Sequence, residues 1–322
     1  MKKSLVLLAA AALLVPAAYA KTDAQGLIPN DAVTVGVVHL ADIRTSPLSG
    51  ALFAQTDKIT ADGDAAAFLR DAGLKPSQDI DVLVVSTSPR TAMGKEADVL
   101  VAADGRFNVE RLTGALVARG AVKKTTAGGT YFILPEKSER SDSKQGAVSF
   151  PDGHLALIGS VDAVTEALAA RAAGGTTFAS ASGLGHDMSR IDPKATAWAL
   201  VDVTRAQRLT GGPHVGGGSD ASSAINTALK TVSTVALWAT DTGDAVKLTA
   251  FGLSSDSETL GLLEDTIRGG LSAMRLAVQD KQPDLVAVLR QFTVSRSRDS
   301  ITVSGSVPAE AFKKLAAAHS AK

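Results

Sequence analysis

Cysteine is absent from the 322 residues, and aromatic side chains make up only 4% of them. Without thiols there is no disulfide, thiolate metal centre, thioether-attached haem, cysteine nucleophile or lipid-modified N-terminal cysteine. A surplus of either charge is missing too, 33 Lys plus Arg facing 33 Asp plus Glu. A general nucleic-acid binder needs a basic excess to displace counterions, so balanced charge argues against nucleic acid as a partner. Beyond the N-terminus no apolar run approaches the roughly 20 residues of a spanning helix, so no transmembrane segment is expected in the mature chain. What remains is 45% hydrophobic and 20% charged, the composition of a globular chain.

Residues 1–20 have the layout of a secretory signal peptide. Lys2 and Lys3 form a basic start, Leu5 to Val15 an apolar stretch, and Pro16 interrupts it. Ala18 and Ala20 frame Tyr19 as a small-x-small cleavage site. Cleavage after Ala20 leaves a mature chain from Lys21 with a slight acidic surplus, exported to a bacterial periplasm or beyond. A chain of this size buries enough surface to fold without staples, so cysteine is not needed in an oxidising compartment.

The chain reads as two related halves. At a constant offset of 146, Val148 meets Val294, Leu155 meets Ile301, Leu157 meets Val303, and Gly159-Ser160-Val161 meets Gly305-Ser306-Val307. Both copies alternate apolar and polar residues around a short polar turn, which predicts a half-buried hairpin. Each leads into a helix, with Ser160 and Ser306 at the N-cap and Pro308 in the first turn of the second. The openings correspond as well: Pro29-Asn30-Asp31-Ala32 precedes a strand at 33–40, and Asp192-Pro193-Lys194-Ala195 one at 196–203. Matching strands follow at 97–103 and 245–253, each handing on to a helix. The first helix runs from Asn108 to a stop at Gly120. The second opens on a capping box of Ser255 with Glu258 and carries an apolar stripe from Leu260 to Val278.

Strand, helices, two strands, helix, hairpin and helix in each half predict an α+β fold, two tandem halves each with a mainly antiparallel sheet packed with helices. The first half adds a hairpin at 122–126 and 130–134, where the second has a helix at 284–291. The expected boundaries are a first repeat at 21–174, a linker at 175–192 and a second repeat at 193–322. Further soft segments are 136–145, almost wholly polar, and the glycine-rich 210–220.

Several local motifs recur in a family of secreted bacterial proteins of unknown function. They are Leu27-Ile28-Pro29-Asn30-Asp31-Ala32, Gly73-Leu74-Lys75-Pro76 with Asp79-Ile80, Asp104-Gly105-Arg106-Phe107-Asn108, and Ile158-Gly159-Ser160-Val161 with Ala163-Val164. Over about residues 27–172 the chain resembles that family. The resemblance implies an exported α+β protein and lends no catalytic residues. The motifs also act as folding instructions: Gly73 can end a helix in the left-handed region, and Pro76 blocks its continuation.

The chemistry-bearing residues form no recognised constellation. The five histidines include no His-x-x-x-His pair, and cysteine cannot complete a zinc site. His186, Asp187 and His214 lie in the two softest segments and are the one combination from which a dispersed hydrolase site can be assembled. The glycine-rich stretch 211–218 lacks the Lys-Ser/Thr ending of a phosphate loop. Ser141-Asp142-Ser143-Lys144 matches Ser-x-x-Lys, but in a polar loop its lysine stays hydrated and protonated. The carboxylate pairs Asp62/Asp64, Asp79/Asp81 and Glu264/Asp265 would need to face each other across a cleft for glycosidase work, one with a raised pKa. Trp198 and Trp238 are expected to pack together in the core, which leaves few aromatic platforms for sugars. No cofactor and no metal ligand set is indicated.

The sequence therefore points to an exported, non-catalytic binding module whose partner is a protein, an envelope component or a small ligand. The alternatives are a hydrolase with a dispersed site near His186 and His214, and a self-assembling envelope protein built on exposed strands.

Overall fold

In the computed structural model, residues 23–50, 53, 63–89, 97–135, 145–181, 183–210, 231–279 and 283–320 are described. The first half runs β1 (Thr34–His39), α1 (Leu40–Thr45), α2 (Gly63–Ala72), α3 (Pro76–Asp79), β2 (Ile80–Pro89), β3 (Ala97–Gly105) and α4 (Val109–Ala118). It continues with β4 (Val122–Thr126), β5 (Gly129–Ile133), β6 (Gly146–Ser149), β7 (Leu155–Ser160) and α5 (Val161–Ala172). Short helices α6 (Phe178–Ala181) and α7 (Gly183–Asp187) lead to β8 (Ala197–Asp202), α8 (Val203–Thr210), β9 (Val232–Asp241) and β10 (Ala245–Ser254). The long α9 (Ser257–Val278), α10 (Pro283–Arg290), β11 (Thr293–Arg296), β12 (Ser300–Pro308) and α11 (Ala309–Ser320) complete the chain.

Among the described residues all strands join one twelve-stranded sheet in the order β11-β12-β10-β9-β8-β1-β2-β3-β7-β6-β5-β4, every neighbouring pair antiparallel. The fold is α+β. The halves meet at the β1–β8 seam, where Val37 faces Trp198 and Gly36 faces Ala199. From this seam the strand order reads alike in both directions, and the first half adds the β4–β5 hairpin at its outer edge.

Alternation decides which side of the sheet each residue serves. In β1, Val35, Val37 and His39 are buried and their neighbours are not, the period-two pattern of a half-buried strand. Their side joins the main core with Val84, Leu100, Leu157 and Leu200, covered by Val164 and Leu168 of α5. Residues 175–192 contribute Phe178, Leu184 and Ile191 to this core, and Thr176 donates its amide to Gly26 O. Among the described residues, helices cover the opposite side towards its flanks. Phe68 and Ala72 of α2 and Leu112 of α4 pack on Ala103 and Ala156, while Leu260 and Leu263 of α9 pack on Val294 and Ile301.

Several helix ends follow the sequence closely. Gly73 has φ +66° and Gly120 φ +86°, left-handed stops after α2 and α4. Asn108 and Ser160 cap α4 and α5 by accepting from Arg111 N and Ala163 N. Others are shifted. The N-cap of α9 is Asp256, whose carboxylate takes the amides of Glu258 and Thr259, so Ser255 and Glu258 do not form a capping box. Ser306 pairs with Lys247 inside β12, which extends to Pro308, so neither residue opens the last helix. Pro76, placed at the sequence level as a helix blocker, is itself the first residue of α3.

The constant offset of 146 also fails across the hairpin. Val148 and Val294 lie on the same side of the sheet, through Val148↔Ile158 and Val294↔Val303. Leu157 pairs with Ala102 towards the main core, whereas Val303 pairs with Ala250 on the opposite side. The connection is 150–154 in the first hairpin and 297–299 in the second. At the constant offset Val294 would pair with Ser304, but it pairs with Val303, a register change of one residue, and a one-residue slip turns every side chain to the other face.

Candidate functional site

Across the seam, the side of the sheet turned away from the main core forms a continuous apolar surface. Paired positions carry it from strand to strand: Ile158 faces Val101, Val101 faces Val85, Val85 faces Gly36, Gly36 faces Ala199, Ala199 faces Leu237 and Leu237 faces Ala250. These side chains are not hidden. Val85 is 38% exposed, Ile158 46% and Leu237 49%. Isolated exposed apolar residues are ordinary, but a contiguous stretch of them marks a binding surface.

Two recesses lie on this side and share Leu83. The central one, about 570 Å³, sits over the seam between Val38, Leu83, Leu237, Leu248, Phe292 and Val303. Small residues, Gly36, Ala199 and Ala250 among them, keep its floor low, and none of the described residues lining it is ionisable. The second, about 760 Å³, lies between the first-half strands and helices α2 and α4. Both volumes fall within the roughly 300–1,000 Å³ of small-molecule sites. A wall this largely apolar selects by shape and desolvation.

The residues singled out for chemistry stand elsewhere. His186 is exposed on α7 with Nε2 3.0 Å from Ser180 O. Asp187 accepts from Thr234 Oγ1 at 2.8 Å and pairs with Arg190 at 3.5 Å. Neither is among the described residues lining these two recesses. His214, the signal-cleavage residues Ala18 and Ala20, the Ser141–Lys144 stretch, the glycine-rich 211–218 and Asp62 lie outside the described residues, as does the side chain of Asp64. Among the described residues no cluster of three or more His, Asp or Glu side chains could hold a metal ion.

The remaining carboxylate pairs serve the fold. Asp79 accepts from Lys75 N, and Asp81 pairs with Arg44 and Arg106. Glu264 is bonded by Arg268 and then Arg296, which hold its carboxyl below the usual range, opposite to what a general acid requires. Trp198 and Trp238 stand directly opposite each other on the core side. The open apolar side escaped sequence reasoning because its residues are the same Val, Leu and Ala that fill a core. Only strand pairing separates the two sides.

No family model and no curated protein matches the chain. Among solved structures it is similar to crystal form III of TP0453, with a TM-score of 0.53 and 11% identity over 92% of this chain and 98% of that one. Crystal form I of TP0453 gives a TM-score of 0.45 at 11% identity, covering 91% of this chain and 96% of that one. At this identity the likeness to form III is one of fold. No helix among the described residues is long and apolar enough to cross a membrane.

Proposed function

We propose that the chain is a non-catalytic binding module for a small apolar ligand, taken up on the open side of the sheet. The reading includes export through residues 1–20 with cleavage after Ala20. It also includes descent from a duplicated unit, with repeats at 21–174 and 193–322 joined by 175–192. One observation carries the binding role: the apolar surface from Ile158 to Ala250 crosses the seam with exposed Val85 and Leu237 at its centre. Burial of a methylene on such a surface is worth about 0.8 kcal/mol, so a chain-like ligand gains affinity with length.

The alternatives find less support. An edge that self-assembles is usually flat and uncharged, yet the outer strand β4 is wholly exposed and carries Lys123 and Lys124. The opposite edge, β11, is only four residues long. For a hydrolase, His186 and Asp187 are already engaged in bonds that hold the segment before β8.

The test is binding of an environment-sensitive apolar dye to the purified chain, with and without Leu237→Glu. Leu237 is half exposed, so the variant should fold normally. A charge in the wall of the central recess is expected to weaken dye binding about tenfold, the equivalent of about 1.4 kcal/mol. Unchanged binding in the folded variant would remove the central recess from the proposal.

A further inference from the structure

We infer that the recess beneath α2 and α4 receives a single-chain amphiphile with an anionic head, a long-chain carboxylate, and that Arg119 holds the head. This rests on the apolar-ligand reading above and names the ligand class for one of the two recesses. Phe68, Leu112, Leu116 and Ile158 are typical of its walls, and Arg119 is the one polar side chain among the described residues lining it. Described walls that are apolar except for one cation fit a molecule that is apolar except for one anionic end.

The placement of Arg119 suits that task. It directly follows α4, and its side chain is 34% exposed, so it lies along the wall while the guanidinium reaches water. The guanidinium carbon stands over the Phe68 ring, 5.7 Å from the centroid, which tethers the cation to the apolar wall. Its two terminal nitrogens donate to the same oxygen, Asp71 Oδ2, at 2.9 and 2.8 Å. A carboxylate is thus already seated on the fork, through one of its two oxygens. Asp71 is 57% exposed, and ion pairs at that exposure contribute little, so a ligand carboxylate can take its place. Lys123, facing Phe132 across the edge pair, adds a second positive charge on this side of the sheet.

Titration calorimetry on the purified full chain tests this with dodecanoate, dodecanol and dodecyltrimethylammonium, all below micelle formation and at neutral pH. Dodecanoate is expected to bind roughly tenfold more tightly than dodecanol, as for an ion-paired hydrogen bond in place of one to an uncharged hydroxyl. The cationic probe should bind more weakly than either. Arg119→Gln should erase the preference for dodecanoate and leave dodecanol affinity unchanged, with a melting curve confirming the fold. Asp71→Asn, which frees the fork, should strengthen dodecanoate binding alone. Equal binding of acid and alcohol by the wild type, or a preference that survives in Arg119→Gln, would overturn the assignment while the apolar-ligand reading stands. If none of the three probes binds, both fall.

Discussion

Trp198 stands directly opposite Trp238 across the β8–β9 pair, and Trp198 also faces Val37 across the seam between the halves. Both indoles lie on the core side of the sheet, and they are the only two tryptophans of the chain. Trp198 is buried and Trp238 half-buried, so the two truncations should differ in cost. Trp198→Ala is expected to lower stability by about 3–5 kcal/mol, the usual range for a large core aromatic, and Trp238→Ala by clearly less. Urea unfolding followed by circular dichroism measures both. Equal losses would mean that the seam does not depend on Trp198.

The start of α9 offers a sharper comparison between adjacent residues. Asp256 accepts from the amides of Glu258 and Thr259 and also from Thr259 Oγ1. Removing this cap by Asp256→Ala should cost about 0.5–2 kcal/mol. Ser255 does not cap the helix, so Ser255→Ala should lie within about 0.5 kcal/mol of wild type. Thermal or urea denaturation of the two variants separates these outcomes, and the reverse ranking would restore the capping box.

That one-residue shift shows where the sequence was legible and where it was not. Local rules located the strands and most helix ends: the alternation of Thr34–His39, the glycine stops at 73 and 120, and the caps at Asn108 and Ser160 all depend on neighbours within a few residues. Ser255 and Asp256 both satisfy the N-cap preference, and only the geometry of the β10 exit chooses between them. The register of β12 is a longer-range matter, set by nine pairs with β10 over residues far apart in sequence. The candidate site is less legible still. Val84 and Val85 are chemically identical neighbours, yet one is buried in the main core and the other is 38% exposed on the open side. Arg119 and Asp71 meet across 48 residues, and no spacing rule connects them.

His39 gives a pH dependence whose sign follows from its surroundings. It ends β1, is 8% exposed, and burial pushes its imidazole below the ordinary value while Asp42 pulls it back up. The unfolded chain takes up a proton near the ordinary value of about 6.5, before the folded chain does. Stability is therefore full above that pH and declines as pH falls towards the depressed folded value. His39→Gln keeps the backbone bond from residue 39 to Thr196 O and removes the titration. Melting temperatures measured between about pH 7.5 and 5 should fall more steeply in wild type than in the variant. Parallel slopes would assign the acid sensitivity to other groups.

Two glycines should respond in opposite directions to the same added methyl group. A Cβ on Gly159 would lie 2.4 Å from Val99 O, a backbone atom of β3, whose residue is paired with Thr87 of β2, and it cannot turn aside. Gly159→Ala must push β3 and β7 apart, and overpacking of that kind costs about 1–3 kcal/mol. Gly114 lies inside α4 with nothing within 4 Å of the added atom. There the backbone entropy of glycine is the only difference, so Gly114→Ala should stabilise the protein by up to about 1 kcal/mol. Because α4 forms one wall of the Arg119 recess, the Gly114 variant also separates helix stability from ligand recognition. Its dodecanoate-to-dodecanol preference should match wild type even as its melting temperature rises, and a changed preference would mean that motion of α4 takes part in binding.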